Sequence, residues 1–525
     1  MFNKEIYAAQ TTNGDAQFTT SGSTIVDFYL FTGTYDYRAQ GNPLDCDLFW
    51  QALYADHDTT IRSILRARDA RGGGKLRKIV HDLFACFENT AKIDKDLANF
   101  FAKCVLAKLP ELGYWKDVVR FAVTQKPYWY EARKYAVQLM VEYAREGEHK
   151  NLLFKYLPVK FAKGGAFIAH GFGFAKEQEW RQFVTPKRST VETAVCAKDF
   201  ERIQYGQVPT QAMKLHKRTF MKFDQARYSG FLAELVQRVN AGESVEGMIK
   251  SSGNLPPEVI ARIRRGLHLD SYYRMRSSMG KETDSDLSGI AVDIAQWAAK
   301  PVMDFKGKNI LVLADTSGSM YSCRGSHPFA PIDVALSMAI IASESNTGPF
   351  KNMFMGFGTK AYLVDLSDCN TVVEKVRRAV QESYAGSTNL MSGFDAILKA
   401  AIASNCPPDQ MPDAIVIPSD MQFDASFADA KLGSTYGVTQ LSVFEQAKKK
   451  YANAGYKLPR VVYWEVNNSP TKPVSAAEGN VVLMSGFSEQ YFTMALTNEV
   501  NPLNAVLEDL MKPRYDWKLE NQVPF

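Results

Sequence analysis

The sequence predicts two architectures in series. Residues 1–300 read as an all-α helical-repeat region, and 301–525 as an α/β region built on a doubly wound parallel sheet. Two observations carry this reading. Before residue 300, short amphipathic segments recur with Gly or Pro between them; after residue 305, continuous apolar runs alternate with helical patterns. A third observation locates the chemistry. The run Ile310–Ala314 ends in Asp315-x-Ser317-x-Ser319, one carboxylate and two hydroxyls delivered onto a turn at Gly318.

Residues 1–40 are rich in Thr, Gly, Ser and aromatics, which predicts irregular or short-stranded structure. From Leu44 the spacing turns helical through Leu48, Ala52, Leu53, Ile61, Ile64 and Leu65. Helices are then expected over 76–88, 94–108, 115–124 and 131–145, separated by Gly72–Gly74, Pro110, Gly113 and Pro127. Residues 160–174, with four glycines, read as a loop or a close backbone approach. Helical spacing returns at 210–218, 225–240 and 256–267. The polar stretch 271–288 reads as a linker, followed by a short helix over 290–299.

In the C-terminal part the expected strands are 309–314, 353–357, 414–418, 461–466 and 481–484. Helices are expected over 332–343, 371–382, 390–404, 441–453 and 489–496. Runs apolar at every position belong to strands covered on both faces. In such sheets ligands bind beyond the carboxyl ends of the strands. Asp315 and Asp420 each follow such a strand directly.

Composition sets limits. The chain has 525 residues, 46% apolar and 23% charged, ordinary for a globular protein of two or three domains. No apolar run approaches the roughly 20 residues that span a bilayer, and no secretory leader is expected. Seven cysteines without a C-x-x-C pair are expected to be reduced thiols, placing the chain in the cytoplasm. The net charge of +5 is uneven. Through residue 300 it is about +9, and afterwards about −4, which points to a polyanion partner for the first part. A solvated basic surface without a specific partner is the plainer alternative.

Three segments carry metal-binding chemistry. After Asp315, Ser317 and Ser319 comes Ala-Gly-Ser-Thr-Asn-Leu, whose Thr388 precedes a helix, and then Ile-Pro-Ser-Asp, which supplies Asp420. Mg²⁺ takes oxygen ligands, few of them carboxylates, and keeps water or ligand positions open. This order resembles the metal-ion-dependent adhesion site (MIDAS) of von Willebrand factor A (vWA) domains. The resemblance implies Mg²⁺ (or Mn²⁺ or Ca²⁺) held by Asp315, Ser317, Ser319, Thr388 and Asp420, with a protein ligand's acidic side chain completing the shell. Asp424 reads as a helix N-cap, and Ser387 and Ser419 flank ligands, where supporting one from behind is an open alternative, without being counted among them.

The N-terminal part resembles a family as well. Leu65–Lys78, with Arg66, Arg68, Asp69, Arg71 and three glycines, is similar to a segment of TROVE-type domains. So are Leu109–Val118 (LPELGYWKDV) and Val208–Met213 (VPTQAM). TROVE followed by vWA is the architecture of the Ro autoantigen ribonucleoproteins, and this chain resembles a plant, bacterial and viral branch of it. The resemblance implies small noncoding RNA as partner of the helical part. It also implies location in the cytoplasm, or in host cytoplasm or virion if the chain is viral.

The candidate phosphate contacts follow from the basic runs. Arg71, Lys75, Arg77 and Lys78 surround the glycine turn, and Lys214, His216, Lys217, Arg218 and Lys222 crowd one helix. Arg262, Arg264 and Arg265 form a third run. Each has a solvated helix face as its alternative. For Arg68 and Asp69 an intramolecular ion pair is expected, and for Tyr128, Trp129 and Tyr130 core packing rather than base stacking.

No Walker loop, H-E-x-x-H motif or nucleophile elbow occurs. The expectation is therefore a non-enzymatic RNA-binding scaffold with a metal-dependent docking site. The alternative is a protein-interaction module, an assembly adaptor or virion component, without RNA.

Overall fold

The computed structural model describes residues 9–10, 16–38, 45–93, 95–124, 126–146, 150–251, 254–267, 269, 284–322, 328–383, 386–424, 442–467, 469, 471–499 and 501–517. The chain starts with two short antiparallel strands, β1 (Ala9–Gln10) and β2 (Ala16–Gln17), and a helix, α1 (Thr24–Arg38). Eleven helices follow: α2 (Cys46–Ala55), α3 (His57–Arg68), α4 (Ile79–Ile93), α5 (Lys95–Leu112), α6 (Trp115–Ala122), α7 (Tyr130–Glu146), α8 (Lys150–Tyr156), α9 (Gly165–Gly171), α10 (Glu177–Val184), α11 (Val191–Cys196) and α12 (Thr210–Phe223). Then come α13 (Gln225–Asn240), α14 (Pro256–Gly266) and α15 (Asp284–Ala298).

The α/β part runs β3 (Ile310–Asp315), α16 (Pro331–Ser345), β4 (Met353–Phe357), β5 (Ala361–Asp365), α17 (Val372–Gln381), α18 (Leu390–Ala403), β6 (Ala414–Ser419), α19 (Val443–Asn453), β7 (Arg460–Glu465), β8 (Val481–Ser485), α20 (Phe492–Ala495) and α21 (Pro502–Leu510). Six strands form one sheet in the order β5-β4-β3-β6-β7-β8, all parallel except β5. The strand order reverses between β3 and β6, the switch point at which such sheets leave a crevice for ligands. β3 and β6 are buried at every position, which is why their sequences do not alternate.

Packing does not divide the chain at 300/301. One compact unit contains 1–42 with 230–509, and the other contains 43–229 with 510–525. The reason lies in buried side chains at both ends of the chain. In the sheet unit, α1 lies against β8, where Ser485 Oγ donates to the Leu30 carbonyl at 2.6 Å. A Cβ on Gly33 would stand 2.0 Å from Ser485 Oγ, so only glycine permits this approach. In the helical unit, Trp517 packs against Phe101 with the rings tilted and their centroids 5.8 Å apart, and its indole N–H donates to Asp58 at 2.7 Å.

The helices expected in the helical unit are present with end shifts of a few residues, but Pro110 does not end a helix: it lies inside α5, which runs on to Leu112. Trp129 is 1% exposed and lies among Phe84 and Phe121, as core packing requires. Further expectations need correction. Residues 24–38 are helical, because Phe28, Tyr29, Leu30 and Phe31 bury together and packing overrides the weak helix propensity of Thr and aromatics. Within 160–174, Gly165–Gly171 forms α9, while Gly164 makes the close approach, to the Val123 carbonyl. Cys46 and Cys86 are joined as a disulfide, their Cα atoms 5.8 Å apart, so not all seven thiols are reduced. The edge strand β5 and helices α8, α10, α11 and α21 were not expected. Of the linker reading over 271–288, residues 271–283 lie outside the described residues, and 284–288 are not a linker but the first turns of α15. Among the described residues no helix is long and apolar enough to cross a membrane.

Candidate functional site

The expected metal residues converge at the carboxyl ends of β3 and β6. Asp315 ends β3 and is fully buried; Ser317 is 1%, Thr388 2% and Asp420 4% exposed. Ser317 Oγ and Ser319 Oγ lie 3.3 Å apart. The Ser317 amide donates to Asp315 Oδ1 at 2.9 Å, folding the loop back on its own carboxylate.

Backbone contacts tie the loops together. The Gly318 amide donates to the Gly386 carbonyl at 3.2 Å, which joins the Asp-x-Ser-x-Ser turn to the Thr388 loop. The Asp424 amide donates to the Thr388 carbonyl at 2.9 Å, which joins that loop to the Asp420 segment. A Cβ on Gly386 would meet Thr359 Oγ1 at 2.2 Å, so this loop needs glycine to pass beside the end of β4. On the other side of β3, the Thr316 amide and hydroxyl both donate to the Phe357 carbonyl at 2.9 Å, and the Tyr362 hydroxyl donates to Thr316 Oγ1 at 2.8 Å.

Ser419, not counted among the candidate ligands, holds Asp315 from behind. Its hydroxyl donates to Asp315 Oδ2, and it accepts from the Met421 amide at 3.0 Å. The sequence held a signal for this, since Ser419 ends a buried strand where an unpartnered hydroxyl is costly. Helix N-capping by Asp424 concerns residues after 424 that lie outside the described set.

Electrostatics penalise a second bare negative charge here. Burial, and then the neighbouring carboxylate of Asp420, push the Asp315 carboxyl well above the usual range, against hydrogen bonds from Ser419 and Ser317. Two carboxylates gathered in a dry place demand a proton or a cation between them. Among the described residues no three His, Cys, Asp or Glu side chains group as a metal site. The donors here are two carboxylates and three hydroxyls, a hard-oxygen set that fits Mg²⁺ or Mn²⁺ and not a soft metal.

The basic runs fare differently. In the glycine turn, Arg71 is exposed, but its guanidinium donates to the Glu111 carbonyl. Lys75 is half-buried in a left-handed conformation, φ 62°, while Arg77 and Lys78 are exposed. On α12, Arg218 and Lys222 are exposed, and Lys214, His216 and Lys217 are half-buried. The turn and α12 are separate elements of the helical unit.

Arg68 and Asp69 are each ion-paired, though not to one another. Arg68 binds Asp117 through Nε at 3.1 Å and through Nη2, so the glycine-turn segment is latched to the 109–118 segment. The Ala70 amide adds a bond to the Leu112 carbonyl at 2.7 Å. Asp69 takes Arg514. The third run belongs to the sheet unit and is mostly spent internally: Arg262 pairs with Asp293, and Arg264 with Asp333 at 2.8 Å, while Arg265 is exposed and donates to the Ala261 carbonyl.

Comparison with known proteins places these segments among others. Residues 309–516 match a family model described as "Domain of unknown function (DUF7788)", and residues 170–307 match another, "Domain of unknown function (DUF2828)". A protein of Acanthamoeba polyphaga mimivirus, named "Uncharacterized protein L728", is 24% identical over 533 residues, covering 95% of this chain and 86% of its own. The crystal structure of the Deinococcus radiodurans RO (RSR) protein aligns over 94% of this chain and 99% of its own. That alignment has 14% identity and a TM-score of 0.33, too low to establish a shared fold.

Proposed function

We propose that the chain is a non-enzymatic scaffold whose sheet unit docks a protein partner through a divalent cation and whose helical unit binds RNA. The observation that carries it is the buried meeting of Asp315 and Asp420 beside the hydroxyls of Ser317, Ser319 and Thr388. A bound Mg²⁺ or Mn²⁺ supplies an electrophilic position that accepts a carboxylate oxygen from a partner. Asp315 and Asp420 would neutralise the ion, the hydroxyls would hold it without adding charge, and the Ser419 hydroxyl donates to Asp315 and fixes its carboxylate.

The RNA part of the proposal is supported by the TROVE-like segments and by exposed Arg77, Lys78, Arg218 and Lys222. Arg71 is reassigned to the turn itself, because its guanidinium is engaged by a carbonyl. Filter binding of small RNA by the full chain, titrated with salt, tests the reading. Affinity is expected to fall steeply between low and physiological salt. An Arg218→Ala/Lys222→Ala variant is expected to lose affinity, and Asp315→Ala to keep it. No RNA retained at low salt would overturn it.

A second reading, protein docking without RNA, is favoured by one observation. On α12, Leu215 is 76%, Phe223 50% and Met221 38% exposed, large apolar side chains set around the helix among the cations. A stoichiometric protein partner that copurifies free of nucleic acid, and is lost on Leu215→Asp, would establish it.

A further inference from the structure

We propose that Gln17, 298 positions before Asp315 in the chain, is a positioning residue for the cation site, and that β2 acts as a clamp on the Asp420 loop. The proposal rests on the cation site described above and names what holds it in shape.

Gln17 is 3% exposed and uses both ends of its amide. Its Nε2 donates to the Met421 carbonyl at 3.1 Å, and its Oε1 accepts from the Thr471 hydroxyl at 2.6 Å. Met421 is a non-glycine residue in the left-handed region, φ 63°, immediately after Asp420. An L-residue stays there only where its surroundings hold it. The hold comes from two sides, since the Met421 amide donates to Ser419 Oγ while the Gln17 amide takes the Met421 carbonyl. Ser419 Oγ in turn donates to Asp315 Oδ2. A relay of hydrogen bonds therefore runs from Gln17 through Met421 and Ser419 to Asp315, and Asp420 lies inside it.

The segment that carries Gln17 is anchored independently. Phe18 and Lys472 exchange two backbone hydrogen bonds of 2.8 Å, and the Ala476 amide donates to the Ser21 carbonyl at 2.7 Å. Lys472 is itself buried and paired with Glu465 at 3.0 Å. Glu465 lies opposite Ser419 in the β6–β7 register. Gln422 donates to Ser469 Oγ at 3.1 Å, so the loop after β7 also touches the residue following Met421. The N-terminal strand thus closes over the strand ends that supply Asp420. Residues that support metal ligands from behind affect cation affinity without touching the ion.

The test is Mn²⁺ titration of the full chain by calorimetry, with each variant's thermal unfolding measured in EDTA. Gln17→Ala and Gln17→Glu are expected to raise the dissociation constant about tenfold or more. Thr471→Val is expected to act in the same direction, and Thr471→Ser, which keeps the hydroxyl, to retain affinity. Asn346→Ala is the control: it removes a buried amide bonded to both the Ile310 N–H and its carbonyl, at the opposite end of β3. It is expected to destabilise the unit while leaving the dissociation constant within about twofold, the spread ordinary for distant sites. Wild-type affinity in Gln17→Ala, or an equal loss in Asn346→Ala, overturns the clamp while the cation site stands. Absence of Mn²⁺ binding by the wild type overturns the cation site, and the clamp with it.

Discussion

Arg514 grips Asp69 across 445 positions of chain, with Nη2 2.9 Å from Oδ1 and Nε on Oδ2. The Tyr515 hydroxyl donates to the same Oδ2 at 3.2 Å, and the Arg71 and Gly72 amides converge on Oδ1 at 2.9 and 3.1 Å. The C-terminal segment therefore closes the helical unit by completing the glycine turn.

This pair has a pH signature. Burial raises the Asp69 pKa, but the Arg514 hydrogen bonds and the turn amides outweigh it, and the net shift is downward. A depressed carboxylate stabilises fully above its unfolded pKa, about 4, and that contribution is lost as pH falls through the folded value. Urea unfolding of the wild type is expected to weaken on acidification below about pH 4, with a smaller slope in Asp69→Asn. At neutral pH, Arg514→Ala is expected to cost about 2–3 kcal/mol, less than a fully buried pair because Arg514 is partly exposed.

Arg71 and its neighbours Arg77 and Lys78 are expected to separate in RNA binding. Arg71→Ala removes a donor to the Glu111 carbonyl and is expected to lower the thermal midpoint with an unchanged salt slope. Arg77→Ala/Lys78→Ala is expected to leave the midpoint alone and to reduce the slope of log K against log salt by about 1.4. Salt-dependent filter binding beside thermal unfolding checks both.

Asp315→Asn is expected to have opposite effects with and without metal. In EDTA the wild type holds two buried carboxylates in mutual repulsion, and the variant relieves it, so the variant is at least as stable. With Mg²⁺ at about 100 times its dissociation constant, the wild type gains about 2.7 kcal/mol, and the variant gains little. Thermal unfolding in paired buffers reads the crossing.

Arg264 and Asp333 lie in the sheet unit with side chains 5% and 1% exposed. Asp333 also accepts the Ala330 amide at 2.8 Å and so caps α16, the helix that follows the Asp315 loop. Arg264→Ala leaves that carboxylate buried and uncompensated, and is expected to destabilise by about 3–5 kcal/mol in urea unfolding. RNA affinity is expected to be unaffected, in contrast to a phosphate contact.

Five strands of the sheet were legible because they are buried on both faces and carry uninterrupted apolar runs. The sixth, β5, was not. Its exposure alternates irregularly, with Leu363 56% exposed at the sheet edge, and Tyr362 faces Thr316 rather than a hydrophobic layer. That Asp315, Ser317, Ser319, Thr388 and Asp420 come together was legible because each sits at a strand end or in a loop before a helix. Helix α1 was hidden by its composition, since Thr and aromatic residues read as strand or loop until packing decides.

Local pattern alone determined most of the helices and five of the sheet's strands, and with them the delivery of two aspartates to the same end of one sheet. It also determined which residues are cationic. Tertiary structure alone decided how those charges are used: Arg264 in a buried pair, Arg68 on Asp117, Asp69 on Arg514, and Arg218 and Lys222 facing outward. It also decided that residues 1–42 belong with the sheet and 510–525 with the helices. The physical reason is range. Periodicity and turn chemistry act over a few residues, whereas ion pairing and amide clamping depend on which distant segment arrives, and contacts separated by hundreds of residues leave no spacing to read.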